Sequence, residues 1–473
     1  MMELRSLTLL ELLEALRTRR ASPVELMRDV LDALDRHNPV LNAVVATRPR
    51  ESLLADARAA ETAIAEGRGR LLEGIPLGVK DLEDAAGLPT THGSKPFRDH
   101  VASHDSTQVA RLRAAGAIVL GKTNAPEFGS AGITRNLLFG ATGSPWDPSR
   151  TPGGSSGGSA AALAGELLPL VTASDGGGSI RIPASFVGAF GLKPSFGRVP
   201  TGPMTSWEYG ATVVYGPLTK TVEDAALFLD VVAGHDARDA TSLPHPGYSY
   251  LDAVRRPLER KLRIAYSPDL GYAVVQPDIA AAVEEAALVF QRLGHDVRAI
   301  ASGPPEMNGE WGLLSSLEIG ARIAHLRPEH DRDFGRALLE TMSFVEALSP
   351  QLWATLRDKR ARIVRWCADL FDEFDLLVTP TVPYDPPPAK GPLPSETAGR
   401  PQITASVASF TIPFNLSWNP AATVRAGLST AGFPIGMQLV GPLHREDVVL
   451  QAARAFERER PWHPHWPLRE AAS

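Results

Sequence analysis

Apolar residues near the start of the chain recur at helical spacing, then give way to short β-type runs. Val24, Met27, Val30, Leu31 and Leu34 fall on one face of a helix. Its start is written by Ser22-Pro23 followed by Glu25, a side-chain acceptor with a reciprocal carboxylate three residues on; Thr8 and Glu11 make the same box for the helix before it. Asn38-Pro39 predicts its end, and a third helix is expected from Ser52 to Glu66. From Gly74 the period changes. The β-type runs Ile75 to Val79 and Ala117 to Leu120 surround a helix from Ser106 to Ala115, the alternation of an α/β fold. Later, Leu262 to Tyr266, Ile279 to Leu293 and Val297 to Ile300 read as strand, helix and strand. A long amphipathic helix from Pro350 to Phe371 precedes a strand from Leu376 to Thr379. Pro386-Pro387-Pro388 and the segment to Arg400 read as a surface linker.

Composition narrows the function classes. The chain has 473 residues, 44% of them hydrophobic and 22% charged, enough to bury a large core. A net charge of −6 lacks the basic excess of a phosphate-backbone binder, so small molecules are the expected partners and nucleic acid is not. The single cysteine, Cys367, forbids an intramolecular disulfide and any cysteine-pair metal motif, which fits a cytosolic protein with no metal. Glu3, Arg5, Glu11 and Glu14 interrupt the N-terminal apolar run, and no stretch reaches 18 uncharged apolar residues, so neither a signal peptide nor a membrane span is expected.

Two segments carry candidate chemistry. Gly116 to Thr123 fits the phosphate-loop pattern G-x-x-x-x-G-K-T, which would make a nucleotide-binding module. The context argues otherwise, because a helix precedes Gly116 and the intervening residues are β-prone, so their amides should enter a sheet. The second segment is denser in signal. Thr151 to Ser159 and Ser174 to Pro183 each set a serine among glycines, which lets consecutive backbone N–H groups turn toward one point as an oxyanion hole, a phosphate nest or plain turns. A serine nucleophile needs a base, and no G-x-S-x-G elbow is present. Lys80 ends the apolar run Gly74 to Val79, where burial would lower its pKa.

Together these pieces resemble the amidase signature family of serine hydrolases. Gly74 to Asp81, Gly121 to Asn124 with Glu127-Phe128, and the two glycine–serine blocks match its elements. Gly191 to Pro194, Gly216 to Thr219, Asp375 to Thr381 and Gly436 to Gly441 extend the match across nearly the whole chain. The resemblance implies Ser179 as nucleophile, Ser155 as a bridging serine after a cis peptide bond with Gly154, and Lys80 as base. It also implies backbone N–H groups of Gly176, Gly177, Gly178 and Ser179 as oxyanion donors, with Asp175, Arg181, Gly154 and Ser156 in support.

It further implies one α/β/α sandwich domain over residues 1–473 around a mixed, twisted sheet of eleven strands. Its parts are a helical 1–70, a signature core 71–225, and 226–473 with the rest of the sheet and the pocket helices. Within the family, the Leu138 to Thr142 segment and the triple glycine look like bacterial aryl acylamidases and 6-aminohexanoate cyclic-dimer hydrolases. The expected substrate is therefore a small amide or carbamate, cleaved without a cofactor by a monomer or homodimer. The alternative is the glutamine-hydrolysing component of a tRNA-dependent amidotransferase. Phe139, Trp207, Tyr209, Trp311 and Leu314 are the pocket candidates.

Overall fold

A computed structural model describes residues 4–203, 211–258, 260–346, 348–402 and 404–462. Both N-terminal capping boxes close: Glu11 N–H donates to Thr8 Oγ1 at 3.2 Å and Thr8 N–H to Glu11 Oε2 at 2.8 Å, and Ser22 and Glu25 repeat the pattern. The second helix, Pro23–Leu41, buries Val24, Met27, Val30, Leu31 and Leu34 as its spacing predicts, but it runs through Pro39. The reason lies beyond the proline. Asn38 Oδ1 accepts the N–H groups of Ala43 and Val44 at 2.9 Å, and Asn42 takes the left-handed conformation at φ 49°, so the helix ends at that cap.

The strands form two ladders. Pro76–Lys80 lies between Ile118–Thr123 and Leu170–Val171, parallel to both, with Val44–Thr47 antiparallel at the edge. The other ladder has seven strands, in the order Leu218–Thr219, Phe190–Lys193, Ala421–Leu428, Pro434–Val440, Leu376–Pro380, Arg263–Tyr266 and Asp296–Ala299. The expected strand–helix–strand unit is its far edge, where Arg263–Tyr266 and Asp296–Ala299 pair in parallel on either side of the helix Pro277–Arg292. A short antiparallel pair, Ser174–Asp175 with Val214–Tyr215, and a Gly216 N–H bond to Ala173 O at 3.2 Å join the ladders into one mixed eleven-stranded sheet. The serine-rich segments sit at that junction.

One core cluster runs through both ladders, from Leu12 and Val30 through Leu77, Val119 and Phe190 to Met437 and Phe456, so the chain folds as a single α/β domain. The phosphate-loop match lies inside this core. Ile118–Thr123 is a fully buried strand, and Lys122 Nζ donates to the carbonyl of Glu83 and to Thr90 Oγ1, leaving no exposed cradle. The proline-rich segment is not a linker. Pro386 and Pro387 are buried, Thr151 N–H donates to Pro387 O at 2.9 Å, and Ala389 N–H donates to Ser149 O at 2.8 Å, so it clamps the entry to the first glycine–serine block. Cys367 is buried on the helix Pro350–Glu373, where desolvation pushes its thiol up to about 12. No described helix is long and apolar enough to cross a membrane.

Candidate active site

Lys80 is delivered by the last residue of a buried strand, its N–H fastened to Thr172 Oγ1 at 3.0 Å. Its Nζ lies 2.8 Å from both Ser155 Oγ and Ser156 Oγ, 2.9 Å from Ser174 Oγ and 3.4 Å from Ser174 O. Burial outweighs the attraction of Asp175 and Glu83 and pulls the ammonium down to about 7. At that value a substantial fraction is neutral amine near neutral pH, with a lone pair that accepts a hydroxyl proton.

Ser155 follows a cis peptide bond with Gly154, and Ser156 stands at the head of the buried helix Gly157–Ala164. The helix start is pressed against the strand end at Thr123-Asn124. Gly158 N–H donates to Asn124 O at 3.1 Å, and a Cβ at Gly158 would stand 2.2 Å from Asn124 N, so only glycine allows this approach. Ser159 Oγ reaches Thr123 Oγ1 at 2.7 Å.

The second block turns around Asp175. Its carboxylate accepts both arms of the Arg181 guanidinium at 2.9 Å and the Asn415 amide at 2.9 Å, and both ions are fully buried. Despite burial, that pairing holds the Asp175 carboxyl well below the usual carboxylate range. Arg181 also donates to Gln438 Oε1 at 2.7 Å and Thr411 O at 3.0 Å, and Gln438 Nε2 donates in turn to Thr379 Oγ1 at 3.0 Å. The motifs around Thr379 and Gln438 thus meet this turn through its arginine.

One expected oxyanion donor is spent. Gly178 N–H donates to Asp175 Oδ1 at 2.7 Å, which turns it away from the cavity, so Gly178 is not a donor here. Among the described residues nothing accepts from the N–H groups of Gly176, Gly177 or Ser179, and these three residues line the cavity. Gly178 serves by its backbone. Its φ is +127°, and a Cβ would stand 2.3 Å from Thr411 Oγ1, whose hydroxyl holds the Gly177 carbonyl at 2.7 Å. Gly178→Ala is expected to destabilise the fold by about 1–3 kcal/mol and to lower kcat/KM at least about tenfold. Urea unfolding with parallel kinetics checks this; an unchanged midpoint and rate would contradict it.

Ser155, Ser174, Gly176, Gly177 and Ser179 share one cavity with two walls. Asp84, Ser106, Gly202, Val213 and Tyr215 form one, tied together by Thr107 N–H donating to Gly202 O at 2.8 Å. His92, Phe128, Trp311 and Arg322 form the other, where His92 stacks on Phe128 at 5.9 Å and lies 3.2 Å from Arg322. Ser179 is half-buried, and among the described residues its Oγ meets no hydrogen-bond partner.

The pocket candidates divide. Trp311 lies over Gly177, where a Cβ would be 2.6 Å from its ring, whereas Leu314 packs into the core. Phe139 does not line the cavity; it belongs to the neighbouring segment that Asn42 holds, the Asn42 amide donating to its carbonyl at 2.8 Å. Trp207 and Tyr209 lie outside the described residues. Sequence reasoning gives no role to Ser174, Asp84 or His92, although Ser174 directly precedes Asp175 in the second block and Asp84 follows Lys80 by four residues.

A buried amine among hydroxyls, beside a serine and three unspent backbone donors in an α/β frame, defines a protein equipped for acyl transfer. The chain belongs to the amidase family of amidohydrolases, which matches residues 25–450. It is 35% identical to an acylamidase of Rhodococcus erythropolis over 96% of this chain and 95% of that protein. It is also 34% identical to the first component, GatA-type, of a glutamyl-tRNA(Gln) amidotransferase from a Geobacter species, over 98% of this chain and 99% of that one. The crystal structure of a bacterial aryl acylamidase of the amidase signature family superposes with a TM-score of 0.91 at 31% identity, covering 96% of each chain.

Proposed function

We propose that this chain is a stand-alone hydrolase of small hydrophobic amides, aryl acylamides foremost, acting through an acyl-enzyme on Ser179. One observation carries the reading: buried Lys80 sits 2.8 Å from Ser155, beneath a cavity that Ser179 and three unspent N–H donors face. Ser179 Oγ attacks the carbonyl carbon while its proton passes to Ser155 Oγ and the Ser155 proton passes to neutral Lys80. For this the Ser179 hydroxyl turns toward Ser155 as substrate fills the cavity, a rotation about one side-chain bond. The N–H groups of Gly176, Gly177 and Ser179 hold the oxyanion, at about 3 kcal/mol for a donor of this kind. The proton returns through Ser155 to the departing amine, and water repeats the sequence on the ester.

The aromatic wall of Phe128 and Trp311 supports an aryl or otherwise apolar substrate. Anilides are expected to turn over faster than matched alkylamides because aniline is the better leaving group. An aryl carbamate is expected to be slow but measurable, its carbonyl being deactivated by two heteroatoms. The amidotransferase reading draws on the similarity to the Geobacter protein, and glutamine separates the two. Glutamine is expected to be poor, since its short polar side chain gives those rings nothing to bury. A panel of anilides, alkylamides, carbamates and glutamine checks this, and a preference for glutamine over acetanilide would overturn it.

A further inference from the structure

Three carboxylates follow Lys80 within four residues, and they have different fates. Asp81 is buried and accepts from the Thr91 and Gly93 N–H groups at 2.9 and 3.3 Å. Glu83 is buried and accepts from Ser106 Oγ at 2.6 Å and Gln108 Nε2 at 3.0 Å. Asp84 faces the cavity that holds Ser155 and Ser179. Its carboxylate has a single charged neighbour, His104 Nε2 at 3.7 Å, beyond a hydrogen bond, and among the described residues no donor hydrogen-bonds it. It is 27% exposed, a partly sheltered carboxylate rather than a fully solvated one.

We infer that Asp84 is a specificity-determining residue that receives an ammonium group carried by the amide substrate. The inference deepens the amide-hydrolase reading and rests on it. Leu82, Val213 and Tyr215 line the cavity around Asp84, so a bound substrate displaces water from a carboxylate that no protein donor satisfies among the described residues. A neutral apolar substrate leaves that desolvation uncompensated, whereas an ammonium replaces the lost hydration with charge-assisted hydrogen bonds. The local potential has the matching sign, since burial and then the nearby Glu83 and Asp84 charges push the Tyr215 hydroxyl well above its usual range. Arg322, the cavity's guanidinium, is on the other wall, beside His92 and 5.5 Å over the Phe97 ring. A cation is thus drawn to the Asp84 wall.

The ammonium has two chemical sources, the acyl part of the amide or the departing amine. Three anilides distinguish them: one uncharged, one with an amino group on the acyl chain, and one with an aminomethyl group on the aniline ring. For the wild type, kcat/KM for one of the two amino substrates is expected to exceed that of the uncharged anilide by at least about tenfold, chiefly through a lower KM. In Asp84→Asn that ratio is expected to fall to about one, and Asp84→Glu is expected to restore part of it. Because the readout is a ratio within each variant, a general loss of folding or activity cancels. Equal rates for all three substrates in the wild type, or a preference that survives in Asp84→Asn, would overturn the inference. Failure to hydrolyse any anilide would instead overturn the underlying amide-hydrolase reading.

Discussion

Ser179→Ala is expected to lower kcat on a good anilide by at least about 10³ while leaving the fold intact. The substitution removes one oxygen from a half-buried side chain whose hydroxyl makes no hydrogen bond among the described residues, so no folding contact goes with it. It does remove the only atom that forms the ester, and the remaining rate comes from the oxyanion donors and binding alone. The check is kcat together with the urea midpoint. More than a tenth of wild-type turnover, at an unchanged midpoint, would sink the assignment of Ser179 as nucleophile.

Loss of the lysine is expected to be as severe, with a signature in pH that loss of the serine cannot give. The active form of Lys80 is the neutral amine, so wild-type kcat/KM is expected to rise as pH climbs through about 7 and to be lost as pH falls below it. Lys80→Ala is expected to lose at least about 10³ of kcat/KM and the limb near pH 7 with it. Lys80→Arg is expected to be no better, because a guanidinium keeps its proton and cannot take one from Ser155. A variant that kept the wild-type limb at comparable rates would remove lysine from the role of base.

Much of this site is legible in the sequence because its determinants are local. An apolar run ending in lysine says that the lysine is buried, and glycines around a serine say that backbone comes close. What the sequence does not carry is direction. Gly176, Gly177 and Gly178 look equivalent as letters, yet the Asp175 carboxylate captures the N–H of the third and leaves the first two. Asp81, Glu83 and Asp84 look alike as well. Their partners, Thr91, Ser106 and Gln108, are brought in by separate turns, so which carboxylate is left facing the cavity emerges only in three dimensions.

Distant partners explain the other differences. Pro386-Pro387-Pro388 has the composition of a linker, and its burial depends on Ser149 and Thr151, far earlier in the chain. Pro39 reads as a stop signal, but it falls in a last turn whose closure is managed by the Asn38 side chain and the left-handed Asn42. Phe139 precedes the first glycine–serine block in sequence, and proximity along the chain suggests a pocket wall. Its segment is instead held by Asn42, away from the cavity-lining residues.

The most direct measurement is to trap the nucleophile. Wild-type protein is treated with a fluorophosphonate, digested and analysed by peptide mass spectrometry, with activity followed in parallel. The account predicts stoichiometric inactivation with the adduct on Ser179, and no labelling of that peptide in Ser179→Ala. An adduct on a different residue accompanying loss of activity, or full activity with Ser179 modified, would contradict it.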